Sequence, residues 1–156
     1  MEDGFQLEQN NMVYSVGSLY EKWYFSFDLM ITELHAGIFN IVRVGDSIDS
    51  RLPAIYLKDK SSALEVRMLI DGQEHAFKSD PIPLNTWTKV ELFVQEEQNG
   101  DYMFRMVIDD FTIVDETKIN VPTTYSDISI YASDNLQIAA YARIRNIHHE
   151  TNKRGM

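Results

Sequence analysis

Apolar and polar residues alternate with period two through most of this chain, and no helical stripe lasts. In the run from Trp23 to Thr32, Trp23, Phe25, Phe27, Leu29 and Ile31 share one face, while Tyr24, Ser26, Asp28, Met30 and Thr32 share the other. From Thr88 to Glu96, Val90, Leu92 and Val94 point inward, with Lys89, Glu91 and Gln95 outward. Between Tyr102 and Asp109, a third such strand places Tyr102, Phe104, Met106 and Ile108 on one side. Shorter strands are predicted at 11–16, 38–44, 53–58, 64–70, 74–79, 111–115, 127–132 and 139–148. Asp71-Gly72, Asn99-Gly100 and Asp109-Asp110 are the expected turns, the first two closing tight hairpins. Room for a helical turn is left only at 20–22 and 32–37. So many short, evenly spaced strands predict an all-β antiparallel sandwich or barrel.

Composition narrows the picture. With 156 residues, 44% hydrophobic and 12% aromatic, the chain is long and apolar enough to bury one core. A single domain over 1–150 is expected, with TNKRGM (151–156) as a frayed tail. Zero cysteines exclude a disulfide framework and thiol chemistry. A formal charge of −10 argues against nucleic acid and anionic membrane as partners, because both select basic patches. No apolar run has the length of a membrane span, so no membrane insertion is expected. MEDGFQLEQNNM lacks the regions of a signal peptide, which leaves a cytoplasmic protein or a mature extracellular domain whose leader has been removed.

Five segments, in order, resemble the laminin G-like branch of the concanavalin A-like lectin/glucanase superfamily. They are WYFSFDLMI, IFNIVRVGDSIDSRLPAIYL, LIDGQEHAFKSDPIPLNTWTKVEL, YMFRMVIDD and DISIYASDN…ARIRNI. Each is alternation plus a turn; their order and spacing from about residue 11 to 149 carry the likeness. The resemblance implies a jelly-roll sandwich of two curved antiparallel sheets and an extracellular, secreted module that recognises a glycan or a protein. It also implies a calcium site at the rim, built from loop aspartates.

The candidate chemistry falls on two loops. Gly45-Asp46-Ser47-Ile48-Asp49-Ser50 offers two carboxylates, and Ala132-Ser133-Asp134-Asn135 offers a third with an amide. Calcium takes six to eight hard oxygens, so Asp46, Asp49 and Asp134 are the candidate metal ligands. Asp46, Asp49, Arg51, Asp134 and Asn135 are the candidate ligand-binding set. The alternative is that these side chains only satisfy turn backbones. By the resemblance Trp87 closes the core; the alternative for a tryptophan at the start of a central strand is stacking on a sugar ring. Arg143 and Arg145 share a face that either takes an anionic group or is neutralised by Glu65, Glu91 or Asp28 on neighbouring strands. His148 and His149 point to opposite faces and cannot chelate one ion. The paired acids of a glycoside hydrolase, the G-x-S-x-G elbow and phosphate loops are all missing, so no enzyme is expected. Self-association through an edge strand is the rival to ligand binding.

Overall fold

The computed structural model describes residues 4–46, 50–70, 73–109, 112–120, 122–134 and 137–153, and every regular element among them is a strand. In chain order the strands are β1 (Phe5–Gln6), β2 (Met12–Leu19), β3 (Lys22–Ile31), β4 (Ile38–Gly45), β5 (Ala54–Lys58), β6 (Ala63–Ile70) and β7 (Gln73–Pro81). They continue with β8 (Thr88–Glu96), β9 (Tyr102–Ile108), β10 (Thr112–Ile119), β11 (Tyr125–Tyr131), β12 (Ile138–Ala139) and β13 (Ala142–Asn152). The first sheet runs β1-β13-β3-β8-β9-β10, and the second runs β2-β11-β4-β5-β6-β7 with β12 added in parallel on β4. All other pairings are antiparallel.

The three long alternating segments behave as their pattern predicts. Phe25, Phe27, Leu29 and Ile31 of β3 are at most 1% exposed, and Val90, Leu92, Phe104 and Met106 of β8 and β9 line the same inward face of the first sheet beside them. The second sheet contributes Val42, Ile55, Val66 and Phe77 to the same core. Each such side chain contributes about 1.5–3 kcal/mol on burial, so the alternation itself drives the two sheets together. Tyr102 and Phe104, whose face depended on register, both point inward.

Three expectations are corrected. The start of the expected tail is strand: Thr151 pairs with Trp23 and Asn152 with Lys22, and the Thr151 hydroxyl donates to the Lys22 carbonyl. The segment 20–22 is no helical turn, since Lys22 already opens β3. Alternation in β13 also breaks at a bulge between Arg145 and His148, where Asn146 takes a left-handed φ of 54°. Asn146 therefore does not oppose Arg145; both donate to Asp28 Oδ2, at 2.7 and 3.1 Å. Asp71-Gly72, Asp110, Asp49 and Asn135 lie outside the described residues.

Candidate functional site

The two loops proposed as a rim site do meet, but what joins them is an arginine. Strand β4 reads IFNIVRVG, and its two polar residues both face away from the core: Asn40 is paired with Tyr56, and Arg43 with Ala54 and Tyr131. Both are nonetheless buried, at 0% and 1% exposure, because the loops fold back over them. Arg43 Nη1 donates to the Ser50 carbonyl at 2.8 Å, and its Nε faces Asp134 Oδ2 at 3.4 Å. The guanidinium also lies 4.8 Å from the Tyr131 ring centre. Asn40 Oδ1 accepts the Asp134 backbone N–H at 2.9 Å, while its amide donates to the Ile55 carbonyl. Glycine at 45 allows this closure, since a Cβ there would stand 2.2 Å from the Ser50 oxygen.

Asp134 is thus fully buried; its Oδ1 accepts the Gln137 N–H at 3.1 Å, and its Oδ2 is turned to a fixed positive charge. Asp46 serves its own turn, taking the Ser50 N–H on Oδ1 while its N–H donates to the Ser50 hydroxyl. Arg51 points along the solvent side of the second sheet, donating from Nε to Tyr56 Oη at 3.1 Å and from Nη1 to Glu74 at 2.6 Å. Burial pushes the Tyr56 phenol above its usual range against the lowering pull of Arg51. Among the described residues no three acidic, histidine or cysteine side chains are grouped to hold a metal.

The outward face of the first sheet is arranged differently. Tyr24 of β3 is paired directly with Phe93 of β8, and both lie on the solvent side, half-buried. Their ring centres are 5.9 Å apart and the planes tilt by 30°, so together they form one apolar platform. His148 meets Tyr24 edge-on at 6.0 Å. The Tyr24 hydroxyl donates to Glu91 Oε2; burial, then that hydrogen bond, holds the phenol above its usual range and protonated. Beside the platform lies a pocket of about 280 Å³, with Lys22, Gln95, Glu96, Glu150 and Asn152 around it. In the sequence Tyr24 stands on the face opposite Phe25 with no role assigned, and Phe93 is not singled out. The outward parity of both was visible; their adjacency needs the β3–β8 register.

Trp87 does not close the core. Thr88, at 1% exposure, takes the inward position that opens β8, so the preceding residue faces out. The Arg145 guanidinium lies 4.0 Å from the Trp87 ring centre and pairs with Asp28 at 3.1 Å. Arg143 donates to the Gly4 carbonyl at 3.0 Å. Of the two readings of this arginine pair, neutralisation by Asp28 is the one seen at Arg145.

No protein-family model matches the sequence, and no curated protein is similar to it in sequence. Solved structures are similar in shape. The carbohydrate binding module CBM66 from Bacillus subtilis superposes with a TM-score of 0.57 at 13% identity, over 95% of this chain and 92% of that one. Botulinum neurotoxin type C, whose cell entry depends on interaction with two ganglioside molecules, gives 0.58 at 13% identity, over 85% of this chain and 32% of that one. An endo-β-1,4-glucuronan lyase from Trichoderma reesei gives 0.56 at 12% identity, over 92% and 72%. At such identities the likeness is one of fold alone: the chain is an antiparallel jelly-roll β-sandwich.

Proposed function

We propose that the chain is a non-catalytic glycan-recognition module whose site is the Tyr24–Phe93 platform. The observation that carries this reading is the direct pairing of two aromatic rings on a solvent-facing sheet surface beside a polar-rimmed pocket. A pyranose ring has an apolar C–H face that suits aromatic stacking and hydroxyls that need both donors and acceptors. Lys22 and the amides of Gln95 and Asn152 supply donors, while Glu96 and Glu150 supply acceptors. The carbohydrate-binding neighbour adds an analogy of fold, which weighs less than the site. The laminin G-like assignment and an extracellular setting belong to the same reading and rest on the sequence resemblance.

Calcium enters this reading at most through the loop that contains Asp46 and Asp49, since a metal at Asp134 would have to displace Arg43. Cleavage has no part in this reading, in which Glu96 and Glu150 serve as acceptors and Glu91 holds the Tyr24 hydroxyl; the lyase likeness is of fold.

The test is affinity electrophoresis through gels containing soluble polysaccharides. A retarding polysaccharide should lose roughly tenfold or more in affinity with Phe93→Ala, as expected for a lost stacking surface. Retardation should survive Arg51→Ala. The opposite pattern, with retardation lost in Arg51→Ala and kept in Phe93→Ala, would move the site to the second sheet.

Self-assembly is a second reading, and β2 favours it. The segment Met12–Leu19 has no charge, no described strand pairs its outer edge, and Met12 and Tyr14 are 58% and 51% exposed. Elution on size exclusion that moves with protein concentration would support it.

A further inference from the structure

A second pocket, of about 320 Å³, opens where the edges of the two sheets approach each other. Phe5 of β1, Val13 and Tyr14 of β2, and Arg145, Asn146 and Ile147 of β13 line it. Several local departures from regular structure converge on this wall. The β13 bulge falls here, Asn146 is left-handed, and Gly4 has a φ of 66° with no room for a Cβ, which would stand 2.4 Å from the Ile144 oxygen. Bulges re-aim side chains, and left-handed non-glycine residues cost energy that persists only where the surrounding structure holds them; both gather at functional sites. Here the bulge turns Asn146 to the Asp28 carboxylate beside Arg145, while Arg145 is clamped between that carboxylate and the Trp87 ring.

The chemistry of the walls selects the occupant. Tyr14 and Phe5 present ring surface, and Tyr14 is 51% exposed at the mouth. The polar end consists of the Asn146 amide and a guanidinium already facing a carboxylate, so it offers hydrogen bonds without an unbalanced charge at Arg145. An aromatic wall with neutral hydrogen bonding suits a polyol ring better than an anion or a purely apolar group. We infer that this pocket is a second glycan subsite, one that takes a neutral pyranose stacked on Tyr14 and hydrogen-bonded at Asn146. The inference extends the proposed function, since the ligand class is the one assigned to the Tyr24–Phe93 platform. The two pockets share β13, with Arg145–Ile147 at one and Glu150 and Asn152 at the other, so one polysaccharide chain or two separate chains would engage a single domain.

Amide chemical shifts of the protein, followed during titration with methyl β-glucopyranoside, methyl β-galactopyranoside and methyl α-mannopyranoside, test it. At least one probe should shift two separate sets: Lys22, Gln95 and Asn152 at the platform, and Gly4, Val13 and Asn146 at the edge. Tyr14→Ala, at an exposed position, should remove the edge shifts and leave the platform shifts unchanged. Asn146→Gly, which keeps the left-handed backbone, should weaken the edge response severalfold. Platform shifts alone would overturn the second subsite and leave the proposed function standing. Edge shifts alone would support the subsite and overturn the assignment of the platform. Silence at both sets with all three probes would overturn both. Edge shifts that survive Tyr14→Ala unchanged would overturn the stacking role given to Tyr14.

Discussion

Asp134→Ala is expected to lose about 3–5 kcal/mol of stability, and to lose the same amount in calcium as in excess chelator. The variant leaves the Arg43 guanidinium inside the protein without its carboxylate, because Arg43 is 1% exposed and cannot turn out to water. Desolvating an unpaired charge is the expensive half of a buried ion pair. The variant also removes the acceptor for the Gln137 N–H, while the Asn40 side chain, which accepts the backbone N–H of residue 134, still ties down this segment after β11. Asp134→Asn should cost less, since an amide oxygen still serves Gln137. Replacing both charged partners with apolar residues should recover part of the loss. Urea denaturation of each protein, with and without calcium, measures this. A metal that binds only the folded state raises stability by RT ln(1 + [L]/Kd). If the wild type gains stability in calcium and Asp134→Ala does not, Asp134 is a metal ligand and the ion-pair account is wrong.

Stability should also fall as pH drops from about 6.5 to about 4, and His149 is the group responsible. Its ring stacks on Trp23 at 6.4 Å and lies 5.8 Å from Phe25, and Nε2 is buried without a hydrogen-bond partner among the described residues. Burial, reinforced by the neighbouring His148, lowers its pKa from 6.5 to about 4, against a weaker raising effect of Glu150. In the unfolded chain the ring takes a proton near 6.5; in the fold it resists until about 4. Between those values the unfolded state binds more protons, so stability is complete above 6.5 and declines as pH falls toward 4. The full drop is on the order of 3 kcal/mol, from about 1.4 kcal/mol per unit of pKa. His149→Phe should flatten that window. A variant whose urea midpoints fall with pH in parallel with the wild type would show that another group carries the dependence.

Much of the fold was legible because burial on one sheet face imposes period two on the sequence. The inward faces of β3 and β8 could be read residue by residue, since a slip of one position would expose Phe25 and Leu92 together, whereas the inward side of β9 needed the sheet register. Strands β1 and β12, two residues each, are too short to show a period. The Thr151–Asn152 extension is polar and pairs at a sheet end, so no apolar signal marks it. The site was harder to read for a different reason. Asp46 and Asp134 looked like metal ligands because carboxylates on loops favour cations, and that logic was sound. The cation Asp134 meets is Arg43, which stood in plain view as the one charged residue of the run IFNIVRVG. Its partner lies on a distant loop, and only the β4–β11 register brings the two together. The platform follows the same rule: Tyr24 and Phe93 face outward by parity, yet their pairing belongs to the sheet.

The most direct test of the account is a glycan array probed in chelator with the wild type and Phe93→Ala side by side. Glycan signal should persist without calcium and disappear in Phe93→Ala. Signal that requires calcium and survives Phe93→Ala would contradict it, and would return recognition to the loops around Asp46 and Asp134.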